Sequence, residues 1–221
     1  MADEKNTDLV HLIGFAATDE DLSSAHDGLS TVAADDGPSA LYLAPDDDAL
    51  EALTTAHEVL IAVAAKATTL PVKHGTLVPE DKLKELAVAQ QEIARRFEGL
   101  AEARIVATYK EDEVADQLSG EVFADTDIGA LDDIAKGRMI AEGMARLRAT
   151  DQTLLIDALD KVASQVTRPE VVEPWDMVRL SVLLPKDGID KLEERLKEVA
   201  EDQLSTCRFE LTAPLPLYSF V

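Results

Sequence analysis

The sequence predicts an α+β fold in two domains, the second of which carries a split β-α-β unit of the ferredoxin-like kind. Predicted helices and strands are mixed along the 221 residues without strict βα alternation. Hydrophobic residues make up 46% of the chain and aromatic residues only 4%, which favours helices packed on a modest sheet. The last third is predicted to run strand, helix, strand, with a short turn before the helix.

The first half begins with two predicted strands and a helix. Apolar runs bounded by glycine or proline predict strands at 8–17 and 37–45. A helix is predicted at 46–67, with its first turn capped and favourably charged by Asp46, Asp47 and Asp48. Its apolar stripe, which we expect to be buried, consists of Leu50, Leu53, His57, Leu60 and Ala64.

A second helix is predicted at 79–98. Pro79 suits the first helical position, and Gly99 suits the position that follows the last turn. Its expected buried stripe is Leu83, Leu86, Ala87, Ile93, Ala94 and Phe97. The stretch between the two helices, TTLPVKHGTLVPED, holds two prolines and a glycine and is typical of a loop.

The second half starts with a predicted strand at 102–109, a charged connector at 110–127 and a long helical stretch at 128–166. A strand at 176–185, a helix at 189–203 and a strand at 205–214 follow. We place the domain boundary near 99–112, where a helix ends and a charged connector follows one strand later. The prediction is an N-terminal α+β domain at 1–100 and a C-terminal ferredoxin-like domain at 101–221, which includes the long helix and an apolar tail.

The charge of the chain excludes two classes of partner. Its 44 acidic and 21 basic residues give a net charge of −23, which repels phosphate backbones and anionic lipid head groups. We therefore expect no nucleic acid and no membrane as a partner. The N-terminus has no secretory signal, and the longest apolar run, 59–65, is far shorter than the roughly 20 residues of a membrane helix. These features predict a soluble intracellular protein.

No motif in the chain predicts catalysis, a cofactor or a metal. The four histidines, His11, His26, His57 and His74, lack metal-ligand spacing, and no glycine-rich phosphate loop or nucleophile elbow is present. Cys207 is the only cysteine and alternates with charged neighbours, so a small buried hydrophobe is favoured over a nucleophile. We predict that the protein is not an enzyme.

Two histidines leave alternatives open. His57 lies on the apolar stripe of its helix, which favours a core histidine bonded to the backbone. His74 lies in LPVKHGT, which is either a structured connector or a loop that contacts a partner. An enzyme that uses His57 or His74 is the less favoured alternative, and a pocket that holds both with a perturbed imidazole would support it.

The apolar end of the chain, LTAPLPLYSFV, has three interpretations. It is a final strand that packs on the fold, an extended partner-binding segment stiffened by Pro214 and Pro216, or a terminal ligand for a PDZ domain. We favour the packed strand, because Phe220 is a natural core anchor.

Two stretches resemble one known family. LPVKHGTLVPEDKL resembles the LPvrFGT segment of the gas vesicle protein GvpF/GvpL family, and LTAPLPLYSFV resembles that family's closing TGPWPPYSF. LVHLIGFA resembles its opening YxYGIV, and KGRMI resembles its glycine-arginine motif. The resemblance extends from residue 9 to residue 221. His74 replaces the usual phenylalanine, and Ala213, Leu215 and Leu217 replace glycine, tryptophan and proline of the tail.

The resemblance implies a non-enzymatic accessory or minor structural protein of gas vesicles, which are gas-filled, protein-walled buoyancy organelles. It implies binding to the hydrophobic shell protein and to other accessory proteins, support of assembly, and a place in the vesicle after a cytoplasmic stage. No cofactor is implied. A generic soluble interaction module is the alternative. The candidate partner-contact or structural residues are Leu70, Pro71, Val72, Lys73, His74, Gly75, Thr76, Pro214, Pro216, Tyr218 and Phe220.

Overall fold

The computed structural model describes residues 8–18, 20–35, 37–45, 48–124, 131–168 and 173–221. The predicted α+β class is confirmed, with helices and two antiparallel sheets. The chain forms two compact units. Unit 1 comprises Met1–Ala103, Leu183–Lys186 and Ala213–Val221, and unit 2 comprises Arg104–Val182 and Asp187–Thr212. The apolar tail is thus grouped with unit 1, and the predicted domains at 1–100 and 101–221 stay a prediction.

Unit 1 is built on a five-stranded antiparallel sheet. Its strands are β1 (Leu9–Ala16), β2 (Ser30–Ala33), β3 (Ser39–Leu43), β4 (Thr69–Pro71) and β5 (Leu77–Pro79). The order is β2-β3-β1-β4, and β5 pairs with β1 as well. The prediction of a loop at 68–81 is wrong where it covers β4 and β5. Each of these strands ends on a proline, and a proline is tolerated at a strand end even though it resembles a loop signal.

A β-bulge in β1 divides the strand between two cores. Leu12 pairs with Tyr42 and Gly14 with Leu41, so Ile13 is an extra residue in the register. Ile13 lies in one core cluster, whereas Leu12 and Phe15 both lie in the other. Because residues 12 and 15 would face opposite ways in a regular strand, the bulge brings Phe15 to the face that Leu12 occupies.

Helix α1 (Ala49–Ala64) packs on the Ile13 face of this sheet. Asp48 caps it, accepting the backbone N–H groups of Leu50 and Glu51 at 2.9 and 3.1 Å. The predicted caps Asp46 and Asp47 lie outside the described residues. The predicted stripe is partly wrong, because Leu50, Leu53 and His57 are exposed. The buried residues are Ala52, Ala56, Val59, Leu60, Val63 and Ala64.

The opposite face of the sheet is covered by helices α2 (Leu83–Ala89) and α3 (Gln91–Phe97). The single helix predicted at 79–98 is therefore wrong in detail. A 3-10 turn occupies Glu80–Lys82, and Gln90 separates α2 from α3. Gly99 has a φ of 75°, as expected of the residue beyond a helix end. Of the predicted stripe, Leu83, Ala87, Ala94 and Phe97 are buried, and Ile93 is exposed.

The second sheet has the strand order β7-β8-β6-β9. Its strands are β6 (Leu100–Tyr109), β7 (Gln165–Thr167), β8 (Asp176–Pro185) and β9 (Cys207–Leu215). Helix α6 (Ile189–Asp202) connects β8 to β9, and β6 lies between these two strands, as in a split β-α-β unit. The predicted β6, β8, α6 and β9 agree with these elements, and β7 was not predicted. The assignment of a separate ferredoxin-like domain stays a prediction.

Helices α4 (Glu111–Val122) and α5 (Asp133–Leu159) lie in unit 2 and pack against each other. The prediction of an exposed charged connector at 110–127 is wrong where it covers α4. Val114 and Leu118, at helical spacing, are buried there. The long helix is confirmed within narrower bounds, and its predicted start at 128–130 lies outside the described residues. None of the described helices combines the length and the hydrophobicity that a membrane span requires.

Close packing of α4 on α5 generates the first prediction. A Cβ on Gly143 would lie 2.5 Å from Cγ2 of Val122, whereas a Cβ on Gly137 would meet nothing within 4 Å. We expect Gly143→Ala to lower the free energy of unfolding by about 1–3 kcal/mol through overpacking. Gly137→Ala should raise it by about 0.5–1 kcal/mol, because alanine favours helix. Urea denaturation followed by circular dichroism measures both.

A rescue variant controls for this interpretation. Val122→Ala in the Gly143→Ala background removes the clashing methyl group, so it should recover part of the lost stability. If the two glycine substitutions change the free energy of unfolding by the same amount, the close contact between α4 and α5 does not depend on glycine at position 143.

Candidate functional site

The LP segment (residues 70–76) and the closing segment (residues 214–221) lie side by side in unit 1. The backbone N–H of Leu217 donates to the carbonyl oxygen of Thr69 over 2.9 Å. Leu70 and Leu217 belong to the same buried core cluster. The two segments that the sequence singles out are therefore parts of one surface.

A buried carboxyl group holds the end of the chain. Glu102 is fully buried, and Ser219 donates to both of its carboxyl oxygens. The backbone N–H of Ser219 is 2.8 Å from Oε2, and its hydroxyl is 2.9 Å from Oε1. A buried carboxyl group without hydrogen bonds is costly, so this pairing fixes the closing segment where it reaches the surface.

The structure supports the packed interpretation of the tail. Leu217 has no exposed surface, and Pro216 is buried as well. The anchor is Leu217 rather than the expected Phe220, which is half-buried at the edge of the same core. A free binding arm or a terminal PDZ ligand requires an unattached chain end, and the hydrogen bonds of Leu217 and Ser219 attach it to unit 1.

The histidine pocket is a cavity of about 560 Å³ formed by β1, α1, the LP segment and the closing segment. Its apolar wall consists of Ile13, Leu53, Ala56, Leu60 and Val72. The polar part of its wall consists of His11, Thr54, His57, His74 and Tyr218. The described lining contains no carboxylate, which is notable in a chain with 44 acidic residues.

His11 is the buried histidine of this pocket. Its Nε2 accepts the backbone N–H of Gly75 over 3.0 Å, and an accepting nitrogen carries no hydrogen. The neutral ring is therefore protonated on Nδ1. Burial, and secondly the charge of nearby His74, lower the pKa of His11. The two rings meet edge-on with their centroids 5.0 Å apart. Gly75 has a φ of 80°, which glycine adopts without strain.

His57 lies on the opposite wall of the pocket. The prediction of a core histidine is wrong, because His57 is exposed and its Nδ1 lies 3.0 Å from the hydroxyl oxygen of Tyr218. The pocket holds His57 and His74 together, which was the condition for the enzyme alternative, but the histidine with the lowered pKa is His11. The described lining offers the hydroxyls of Thr54 and Tyr218 but no serine, cysteine, aspartate or glutamate beside the imidazoles. An apolar cavity with a few polar groups is the arrangement of a binding site.

The tail cleft is a second cavity, of about 320 Å³. Both segments line it, the LP segment with Leu70 and Val72 and the closing segment with Phe220 and Val221. Ile93 of α3 also lines it and is 42% exposed, and Val221 is 54% exposed. Val72 lines both cavities, so the histidine pocket and the tail cleft are neighbours on one apolar surface.

The predicted contact residues fall into three groups. Those in the tail cleft are Leu70, Pro71, Val72 and Phe220, and those in the histidine pocket are Val72, His74 and Tyr218. Those that line neither cavity are Lys73, Gly75, Thr76, Pro214 and Pro216. Thr76 has a structural role, since its hydroxyl donates to the carbonyl of Lys73 over 2.6 Å and closes the turn.

Two residues of the site were not predicted from the sequence. His11 and Glu102 were placed in predicted strands, and neither was given a role in the site. Each is a polar side chain within an apolar run, LVHLIGF and LAEARIV, and each is buried. A polar group buried in a strand needs a partner, and that requirement is the signal that could have found both.

The titratable cluster of unit 2 is structural. Cys207 is buried, as predicted, and burial raises its pKa to about 12, so the thiol stays protonated. The hydroxyl of Tyr109 donates to Oδ2 of Asp151 over 3.0 Å, and burial raises the pKa of that carboxyl group. Among the described residues, no three histidine, cysteine or acidic side chains are grouped to hold a metal ion.

Comparison with known proteins identifies relatives of the whole chain. A family model described as "Gas vesicle synthesis protein GvpL/GvpF" matches residues 3–221. The gas vesicle protein GvpF from Anabaena sp. PCC7120 superposes with a TM-score of 0.75 at 16% identity, over 96% of this chain and 95% of that one. GvpF from Microcystis aeruginosa superposes with a TM-score of 0.72 at 16% identity, over 96% of this chain and 98% of that one. No curated protein sequence is detectably similar.

The Glu102–Ser219 contact generates the second prediction. Glu102→Ala leaves the N–H and the hydroxyl of Ser219 without their acceptor and opens a cavity, so it should lower the free energy of unfolding by at least about 2 kcal/mol. Ser219→Ala is the matched control, since it removes only the hydroxyl donor and should cost about 1 kcal/mol. Thermal and urea denaturation measure both. If the Glu102→Ala variant is as stable as the wild type, the Glu102–Ser219 contact does not fix the closing segment to unit 1.

The His11–Gly75 hydrogen bond generates the third prediction. Because the folded state binds a proton at His11 more weakly than the unfolded state, its contribution to stability is complete above about pH 6.5 and is lost as the pH falls below that value. His11→Gln retains an acceptor for Gly75 but does not titrate. The wild type should therefore lose more stability than the variant between about pH 7.5 and pH 5.

Urea denaturation at both pH values tests this expectation. The comparison with the glutamine variant is needed because the many carboxylates of the chain also respond to pH. Parallel pH profiles of the two proteins would count against a lowered pKa of His11 in the folded state.

Proposed function

The chain belongs to the gas vesicle GvpL/GvpF family, and from that membership we propose that it is a non-enzymatic accessory or minor structural protein of gas vesicles. Its role is to bind the hydrophobic shell protein and support vesicle assembly, together with other accessory proteins. The observation that carries the proposal is the family match over residues 3–221, which includes both segments of the candidate surface.

The candidate surface supports this role through its chemistry. The histidine pocket and the tail cleft are lined mainly by apolar side chains, and neither described lining contains an aspartate or glutamate side chain. Exposed apolar side chains beside an acidic body are typical of a surface that is covered by a partner. We propose that the LP segment and the closing segment form the contact with the shell protein.

The net charge of −23 fits the same role. A hydrophobic client must be kept from self-association before it enters the vesicle wall, and a strongly charged body keeps a complex dispersed. The apolar clefts then bind the client by excluding water. We propose that the protein is cytoplasmic before assembly and part of the gas vesicle afterwards.

Deletion of the gene in its host tests the proposal. We expect vesicles to be absent or deformed, measured by electron microscopy and by flotation of the cells, and we expect the wild-type gene to restore them. Normal vesicles in the deletion strain would refute the proposed function.

Complementation also separates this proposal from the enzyme alternative. A His57→Ala, His74→Ala double variant removes both imidazoles that an enzyme would use, although its chain retains the apolar walls of the pocket. We expect this variant to restore vesicle formation at least in part. A variant that folds, binds the shell protein as the wild type does and still yields no vesicles would favour catalysis.

A further inference from the structure

Two leucines on the α1 face of the unit 1 sheet are exposed. Side chains alternate along β1, so Leu9 and His11 share the face on which Ile13 packs against α1. Leu77 of β5 is directly opposite His11 and faces the same way. Leu9 is 51% exposed and Leu77 is 54% exposed, so this face carries exposed apolar side chains on β1 and β5.

Helix α1 adds apolar side chains beside this open face. Leu53 lines the histidine pocket and is 45% exposed, and Leu50, one turn earlier, is 73% exposed. The residues that α1 buries are Ala52, Ala56, Val59, Leu60, Val63 and Ala64, so Leu50 and Leu53 are not part of its buried stripe. Leu53 is thus an exposed apolar residue in the wall of the pocket.

His11 presents a hydrogen-bond donor in this apolar setting. Its Nε2 is occupied by Gly75, and its Nδ1–H has no hydrogen-bond acceptor in the part of the chain that the structure describes. Although the residue is only 5% exposed, its Nδ1 is not among the enclosed polar atoms that lack a partner, so this N–H is open to an acceptor that enters the pocket. Such an acceptor supplies a hydrogen bond that the described part of the chain does not.

Charge indicates what kind of group enters. The lining holds no carboxylate, and the chain as a whole repels an acidic partner. Glu51 and Glu58 are exposed acidic residues of α1 that do not line the pocket. Their charge favours a ligand segment that carries basic residues next to its apolar side chain. The complementary ligand is an apolar side chain on a segment without acidic residues, with a backbone carbonyl free to accept.

We infer that the histidine pocket binds an apolar side chain of the gas vesicle shell protein, and that a backbone carbonyl of the same segment accepts the Nδ1–H of His11. This inference rests on the proposed function and names the part of the candidate surface that recognises the client. Tyr218 lines the same pocket, and its hydroxyl is paired with His57. Tyrosine is one of the residue types that contribute most of the binding energy at protein–protein interfaces.

Paired substitutions at Leu53 test the pocket. Leu53→Glu and Leu53→Lys place opposite charges on an exposed pocket residue, so the fold should tolerate both. The control is Val88→Glu, at a residue that is 50% exposed and lines neither cavity. Each full-length variant is co-expressed with the gas vesicle shell protein of its host, and the affinity is measured with the purified proteins.

The expected result is a loss of affinity of at least about tenfold for both Leu53 variants and a change within about twofold for Val88→Glu. Because the contact is apolar, the loss should persist at raised salt. If the wild type binds and both Leu53 variants bind equally well, the pocket inference is overturned and the proposed function stands. If the wild type does not bind and the deletion strain has normal vesicles, the proposed function itself fails.

The hydrogen bond has a separate readout. In a protein with ¹⁵N-labelled histidine, binding of the shell protein should slow solvent exchange of the Nδ1 proton of His11, which the His11→Gln spectrum assigns by its absence. Tight binding with unchanged exchange of that proton would overturn the role of His11 as the donor.

Discussion

Strand β1 is the constraint on which unit 1 depends, because three strands pair along it. β3 occupies one edge, and β4 and β5 occupy successive parts of the other. The pairing with β4 requires glycine at position 14, where a Cβ would lie 2.7 Å from the carbonyl oxygen of Leu70. The bulge at Ile13 then divides the apolar residues of one strand between two cores. A single strand thus determines where the helices on both faces can pack.

The candidate site follows from that pairing. The LP segment is the connection between β4 and β5, so both of its ends are held by β1. Its turn is held as well, since His11 of β1 accepts the N–H of Gly75. The closing segment joins it through the hydrogen bond from Leu217 to Thr69 and through Glu102. The surface is therefore rigidly attached to the sheet, and its cavities are formed by side chains whose backbone positions are fixed by strand pairing.

The distribution of charge separates two tasks on one chain. Acidic side chains are solvated readily and keep the protein apart from other acidic macromolecules. The described linings of the two cavities contain no aspartate or glutamate, so apolar contacts there desolvate no acidic side chain. Their polar side chains are the three imidazoles, Thr54 and Tyr218 of the histidine pocket and Gln90 and Arg96 of the tail cleft. This combination suits the binding of a hydrophobic protein by a highly charged one.

Local patterns were enough to predict the α+β class, strands β1, β3, β6, β8 and β9, the cap at Asp48, and the family to which LPVKHGT and YSFV belong. They were not enough to choose which stripe of α1 is buried. The stripes through Leu53 and through Val59 lie next to each other on the helix, and the sheet packs against the smaller residues because they allow a closer approach. Nor could the sequence show that His11, Glu102 and Tyr218 belong to one site. These residues lie far apart in the chain, and strand pairing and burial, which bring them together, are long-range interactions that no local window contains.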